Sequence, residues 1–265
     1  MRTTSMIAML ACAAATCSQV LADDSGLRTG AAVKDELSVG QGQARVTIPL
    51  PGGQWQVFRA EEQEMRMLNA LDQHMAPIRL DILLTQRVGS RVAMTIRIEA
   101  SKDVLPGRVT SLRVNDPCKR TDTLYRNPYD SGGATVNCLL VNHRVGYLRA
   151  AGTGLFQDLR SWMTKEGIDI PTTVLSATFA QSLPNRFLTI TVYVDPAMRD
   201  LDSAEPIWAS SPFHRDRISK DEARDRYAKE FVAWAEAYRP LISISRSSES
   251  SATFAGGNRQ VPAFR

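Results

Sequence analysis

Two cysteines lie at the ends of the segment with the densest mixture of chemically versatile side chains. Arginine, lysine, tyrosine, aspartate and glycine crowd the segment between Cys118 and Cys138. The spacing is far too long for a CxxC redox motif. The other cysteines, Cys12 and Cys17, fall in a predicted signal peptide, so we expect a Cys118–Cys138 disulfide that stabilises the fold by roughly 3 kcal/mol. Two unpaired, buried thiols are the alternative.

The same segment contains a candidate binding loop. Tyr125, Arg126 and Tyr129 combine aromatic area with a fixed charge, and residues of these types are enriched at binding hot spots. On this interpretation, replacing Tyr125 and Arg126 by alanine leaves thermal stability nearly unchanged and weakens capture of a partner. The alternative is a surface loop without a binding role, which the disulfide keeps ordered.

The three histidines of the chain, His74, His143 and His214, are far apart in sequence. None lies in an HExxH or paired-cysteine context, so we expect no metal site and no cofactor. The chain also lacks the GxSxG motif of α/β-hydrolases. His143 and His214 are the first candidates for a non-standard hydrolytic site, and a surface or capping role is the alternative for both.

Paired carboxylates are a second kind of candidate chemistry. Glycoside hydrolysis needs two carboxyl groups that face each other across a cleft. Asp81 and Glu99 lie on neighbouring predicted strands, where their alternation places them on the solvated face of a hairpin. We therefore predict no catalytic residue, and whether the protein is an enzyme stays open, with the balance towards no.

The first residues have the pattern of a secretory signal peptide. Arg2 precedes a short apolar run over 6–15, and small residues before Asp23 suit cleavage after Ala22. The alternative is a lipobox ending at Cys12, which makes the protein an outer-membrane lipoprotein. No later apolar run is long enough for a transmembrane helix. The expected location is the periplasm or the extracellular medium.

The formal net charge of +4 is too mild to indicate nucleic-acid binding. Residues 106–150 are more basic than the rest, with Asp116, Asp122 and Asp130 against Arg108, Arg113, Lys119, Arg120, Arg126, Arg144 and Arg149. This excess indicates either a solvated basic face or a surface for a partner. That partner is another envelope protein or an anionic envelope component.

Two hairpins and two helices are the clearest elements. Apolar residues alternate over 78–87 and 91–100, and again over 173–181 and 186–195. Helical periodicity predicts an amphipathic helix over 155–166. A second helix follows the capping-box pattern at 219–222, and its aromatic stripe is predicted to pack in the core. The stripe consists of Tyr227, Phe231, Trp234 and Tyr238.

Weaker signals complete the predicted organisation. Short strands over 45–50 and 54–59 flank a turn at 51–53, and a short helix is weakly preferred over 61–75. We expect a flexible leader over 23–42, a single domain over 43–244 and a disordered tail over 245–265. The fold class is α+β, a mainly antiparallel sheet of about six to eight strands with two principal amphipathic helices packed on it.

Three short patterns resemble a loosely defined group of uncharacterised, exported bacterial α+β proteins. These are Leu50-Pro51-Gly52-Gly53-Gln54-Trp55, the Gly-Ile-x-Ile-Pro run from Gly167 to Pro171, and the late block with Trp208, Pro212, His214 and Trp234. The resemblance implies a signal peptide, a mixed sheet with helices packed on it, and no known catalytic residue. The sequence thus indicates an exported, soluble, non-catalytic binding or envelope accessory factor, with a periplasmic hydrolase as the alternative.

Overall fold

The computed structural model describes residues 27–65, 67–68, 74–75, 78–104, 117–128, 136–146, 148, 154–183, 185–242, 261 and 264. The predicted signal peptide, Cys12 and Tyr129 lie outside the described residues, as do 108–114 and most of the predicted tail.

The described residues form ten strands and two α-helices. The strands are β1 (Ala32–Val39), β2 (Val46–Glu64), β3 (Met67–Leu68), β4 (His74–Met75), β5 (Ile78–Val88), β6 (Arg91–Ser101), β7 (Tyr125–Pro128), β8 (Asn137–Val145), β9 (Thr173–Leu183) and β10 (Arg186–Val194). The helices are α1 (Leu155–Lys165) and α2 (Glu222–Tyr238). The predicted α+β class and the antiparallel sheet are confirmed, although the helices are small beside the sheet.

Eight of the described strands form one antiparallel sheet in the order β1-β2-β5-β6-β10-β9-β8-β7. The first four follow one another along the chain, apart from the small β3–β4 pair between β2 and β5, and the last four are consecutive. The chain therefore crosses from β6 to the far edge at β7 and returns strand by strand until β10 pairs with β6. The pairs β5–β6 and β9–β10 are the two predicted hairpins.

The long strand β2 replaces the predicted turn at 51–53. Its first part pairs with β1 and its second part with β5, so the prolines at 49 and 51 are tolerated where only one side of β2 has a partner. Gly53 has φ of 127°, and a Cβ there would lie 1.8 Å from the Gln86 amide nitrogen. The buried indole of Trp55 donates to the Pro51 carbonyl at 2.7 Å. The Pro-Gly-Gly signal marks a bend within a strand.

Two other local predictions are wrong. Strand β1 lies inside the segment predicted as a flexible leader, where its buried Leu37 and Val39 join the core. The weakly preferred helix over 61–75 is absent from the described part of that segment, which continues β2 to Glu64 and then forms the β3–β4 pair. Local apolar spacing cannot outweigh the backbone hydrogen bonds that a neighbouring strand offers.

Helix α2 covers one face of the sheet. The stripe residues Tyr227, Phe231, Trp234 and Tyr238 are all buried in the main core with the inward side chains of the hairpins, which confirms their predicted packing role. The helix begins after Asp221, whose carboxylate accepts from the Arg224 N–H at 3.1 Å. The predicted cap at Ser219 is therefore displaced by two residues.

The end of the chain also reaches α2. Val261 is buried, and the Phe264 ring lies 5.0 Å from the Phe231 ring and 5.3 Å from the Tyr227 ring, between centroids. The prediction of a disordered tail did not foresee these two contacts.

Helix α1 packs on the opposite sheet face. Its buried Leu155, Leu159 and Met163 meet Leu83 of β5 and Val92 of β6. Because Leu83 alternates with Ile82 and Leu84, which face α2, both faces of this hairpin carry buried residues. The expected fully solvated face is wrong.

Candidate functional site

The disulfide fastens the segment 117–128 to the sheet. Cys118 and Cys138 are bonded with their Cα atoms 5.7 Å apart, which confirms the predicted pair. On the α2 side of β7, the Tyr125 hydroxyl and the Asn127 amide both donate to Glu236 Oε1, at 2.7 and 2.8 Å. The bond to Glu236 raises the pKa of the Tyr125 hydroxyl. Tyr125 therefore helps to hold α2 against the edge strand.

Arg126 points to the other side of β7. It is exposed, and its guanidinium donates to the Cys118 carbonyl at 3.2 Å. Of the three residues predicted to form a binding loop, Tyr125 has a structural role, Arg126 keeps an exposed charge, and Tyr129 lies outside the described residues.

The same segment is bound at its other end by two side chains. Asn142 of β8 donates to the Asp122 carbonyl at 3.0 Å. Arg215, from the connection between β10 and α2, donates to the Thr121 carbonyl. The disulfide segment, β8 and residues 208–217 consequently meet at one corner of the sheet.

Two of the three histidines come together at this corner. His143 of β8 and His214 of the connection lie 5.9 Å apart, centroid to centroid, at right angles. Trp208 stacks on His143 at 5.1 Å and meets the His214 ring edge-on at 4.4 Å. His143 is 1 % exposed and His214 is 8 % exposed. We call His143, Trp208 and His214 the ring cluster.

A hydrogen bond fixes which nitrogen of His143 carries the hydrogen, and burial favours the neutral ring. Its Nε2 lies 3.2 Å from the Trp208 carbonyl oxygen, which can only accept, so Nε2 carries the hydrogen. Burial lowers the pKa of His143 to about 4, with a smaller contribution from His214. The neutral ring therefore presents a bare Nδ1, which has no hydrogen-bond partner among the described residues. The buried Thr173 hydroxyl, one diagonal step away on the same sheet face, is also unpartnered there.

The second imidazole is likewise held by main-chain atoms. His214 Nδ1 accepts from the Asp216 N–H at 3.3 Å, and the Asp216 carboxylate lies 3.6 Å from the same nitrogen. The nearby buried Ser211 hydroxyl accepts from the Phe213 N–H at 3.2 Å. In the described part of the chain, neither imidazole is hydrogen-bonded to a hydroxyl or thiol that could act as its nucleophile. A nucleophile–base pair requires that bond.

The carboxylate candidates have charged partners. Asp81 is 1 % exposed and bonds Arg97 through both oxygens, at 2.9 and 2.6 Å. Glu99 lies opposite Asp81 and contacts Arg97 at 3.3 Å and Arg79 at 3.1 Å. Burial lowers the pKa of Arg97, but the bond to Asp81 and the charge of Glu99 outweigh it and raise that pKa. Asp81 and Glu99 thus neutralise arginines instead of facing each other across a cleft, and their predicted solvation is wrong for Asp81.

Six exposed cations lie on the three segments that meet at this corner, with Arg126 and Arg144 on the sheet face opposite the ring cluster. They are Lys119, Arg120, Arg126, Arg144, Arg215 and Arg217, and the exposed acids among them are Asp122 and Asp216. The Arg120 guanidinium bonds Asp122 at 2.7 Å and, together with Arg215, lowers the pKa of that carboxyl group. We call these eight residues the basic corner. Its excess of four positive charges equals the formal net charge of the whole chain, +4.

Sequence reasoning missed Trp208 and Arg215 as parts of this site. In the sequence Trp208 appears only in the late block with Pro212, His214 and Trp234, and its closeness to His214 is the one signal for a shared cluster. Among the described residues, no group of three or more histidine, cysteine, aspartate or glutamate side chains could hold a metal ion. None of the helices in the described residues has the length and apolar character needed to cross a membrane.

No protein-family model, no curated protein and no solved structure matches this chain. The resemblance to exported α+β proteins therefore stays a prediction.

Proposed function

We propose that the protein is an exported, non-catalytic binding factor of the bacterial envelope, which binds an anionic envelope component through the basic corner. The observation that carries this proposal is the concentration of six exposed cations on one corner of the sheet. Five of them are arginines, whose planar forks match carboxylate and phosphate groups.

The anchoring of the corner supports a binding role. The disulfide, the Arg215–Thr121 bond and the Asn142–Asp122 bond fix the main chain that carries Lys119, Arg120 and Arg126. When the main chain is already fixed, charged side chains lose less conformational entropy on binding a partner. A disulfide also suits the oxidising compartments outside the cytoplasm.

The hydrolase alternative has less support. It gains from the closeness of His143 and His214, but both imidazoles are bonded to main-chain groups and His143 is sealed beneath Trp208. An imidazole without a nucleophile or substrate access serves packing better than proton transfer.

Charge reversal at the corner tests the proposal. The protein is immobilised and incubated with a detergent-solubilised bacterial envelope fraction, and bound phosphate and uronic acid are quantified. Arg120→Glu with Arg217→Glu should reduce retention at least about tenfold, and rising salt should do the same to the wild type. The matched control is Arg226→Glu with Lys229→Glu, which makes the same charge change on exposed positions of α2. Equal retention by the corner and control variants would contradict the proposal.

A further inference from the structure

An exposed apolar tip lies next to the basic corner. Ile207 is 59 % exposed, although most large apolar side chains among the described residues are covered. Its neighbours Pro206 and Ala209 are exposed as well. Residues 206–209 therefore present a short apolar surface to solvent, centred on Ile207.

The ring cluster holds this tip in place. Trp208, the next residue, is stacked on His143 of β8, and the ring N–H of each residue donates to the main-chain carbonyl of the other, at 3.2 and 3.4 Å. The Ile207 N–H is bound by Glu205 Oε1 at 2.9 Å. The exposure of Ile207 consequently belongs to a fixed turn that is anchored on the sheet.

Cations flank the tip. His214 packs against Trp208 at 4.4 Å, which brings the turn carrying Arg215 and Arg217 beside residues 206–209. Arg215 in turn binds Thr121, next to Arg120. Three acids lie in the same region, and each has a local contact: Glu205 binds the Ile207 N–H, Asp216 lies 3.5 Å from Arg215, and Asp122 bonds Arg120 at 2.7 Å.

An exposed aliphatic side chain next to a tryptophan and a group of arginines is the pattern of a surface that meets lipid. The aliphatic group enters the boundary between head groups and acyl chains, and the arginines bind phosphates. We propose that the basic corner and Ile207 dock the protein on a membrane surface rich in anionic phospholipid. Electrostatic binding to a soluble polyanion would leave the exposed Ile207 without a role. This inference rests on the proposed function and names its partner.

Vesicle co-sedimentation tests the inference with the full chain. Vesicles of phosphatidylcholine alone are compared with vesicles that contain one third phosphatidylglycerol. The wild type should bind the anionic vesicles at least about tenfold more tightly than the neutral ones. Arg215→Ala with Arg217→Ala should weaken that binding about thirtyfold, on the scale of two juxtamembrane cations.

The apolar contribution has its own pair of variants. Ile207→Asp should weaken binding to anionic vesicles at least about tenfold, because the aliphatic side chain no longer enters the lipid. The matched control is Val88→Asp, which changes another exposed aliphatic residue, 53 % exposed, at the end of β5. Circular dichroism melts confirm that both variants fold. Equal binding by Ile207→Asp and Val88→Asp would overturn the inference.

The two proposals fail separately. One outcome is that the wild type binds no vesicle while retention of envelope material still depends on Arg120 and Arg217. In that case the proposal of a lipid surface is wrong, and the proposal of an anionic envelope partner is retained. If retention and vesicle binding are both insensitive to the corner arginines, both proposals are wrong.

Discussion

His143 and Trp208 exchange two hydrogen bonds across the gap between β8 and the connection that precedes α2. The imidazole Nε2–H donates to the Trp208 carbonyl, and the indole N–H donates to the His143 carbonyl, at 3.2 and 3.4 Å. The two rings are stacked, with their centroids 5.1 Å apart. Burial, which lowers the pKa of His143, keeps the ring neutral, although the bond to the Trp208 carbonyl acts in the opposite direction.

Acid should weaken the fold through His143. Burial lowers its folded-state pKa to about 4 from 6.5, so unfolding takes up a proton between these values. The contribution of the neutral ring is complete above pH 6.5 and is lost as the pH falls to about 4, which amounts to about 3 kcal/mol. Urea unfolding measured from pH 4 to 8 checks this. His143→Phe should be less stable at pH 8 and should lack this part of the pH dependence; an unchanged pH dependence would contradict the assignment.

Tyr125 and Arg126 should differ in their effects on stability. Tyr125→Phe removes the donor to Glu236 and should lower the free energy of unfolding by about 1 kcal/mol. Arg126→Ala should change it by less than about 0.5 kcal/mol, because the side chain is exposed. Thermal melts of the two single variants check this. The bond to Glu236 speaks against the expectation that the Tyr125 and Arg126 alanine pair leaves stability nearly unchanged, and these melts test it. Equal melting temperatures for wild type and Tyr125→Phe would exclude a structural role for the hydroxyl.

Loss of the disulfide should destabilise the whole domain. The bond closes a loop with a sequence separation of 20 residues, which corresponds to roughly 3 kcal/mol of lost chain entropy in the unfolded state. Cys118→Ala with Cys138→Ala should lower the free energy of unfolding by about that amount in urea. Wild type in reducing agent is the control, and it should fall to the same value.

Asp81 and Arg97 should behave as a coupled pair. Asp81→Asn leaves the Arg97 guanidinium half-buried without its bidentate partner and should cost about 2–4 kcal/mol. In a double-mutant cycle with Arg97→Met, the two losses should be clearly less than additive. Additive losses would mean that the two side chains act independently.

Sequence reasoning predicted the elements whose signals are local and strong. Period-two alternation identified both hairpins, and helical spacing of Tyr227, Phe231, Trp234 and Tyr238 identified α2. Local sequence patterns did not predict strand β1 or the strands within 61–75, because pairing with another strand decides the backbone conformation there. Asp81 was predicted to be solvated because it alternates with apolar residues along the strand. The sequence does not show which arginines neutralise Asp81, because their positions depend on the register between β5 and β6.

The ring cluster was only half predictable. His143 and His214 were singled out, but their contact arises because β8 and the connection after β10 end at the same corner. That juxtaposition depends on the strand order of the whole sheet, which periodicity does not contain. Trp208 has no local pattern of its own that distinguishes it from other aromatic residues in a connection.

The order of the strands has a consequence for how the chain folds. Strands β1, β2, β5 and β6 can pair in succession, but β6 receives its second partner only when β10, the last of the described strands, is present. During vectorial synthesis, this central strand of the complete sheet is therefore an exposed edge, open to pairing with other chains. We therefore expect the closing of the β6–β10 seam to be a slow, non-local step of folding.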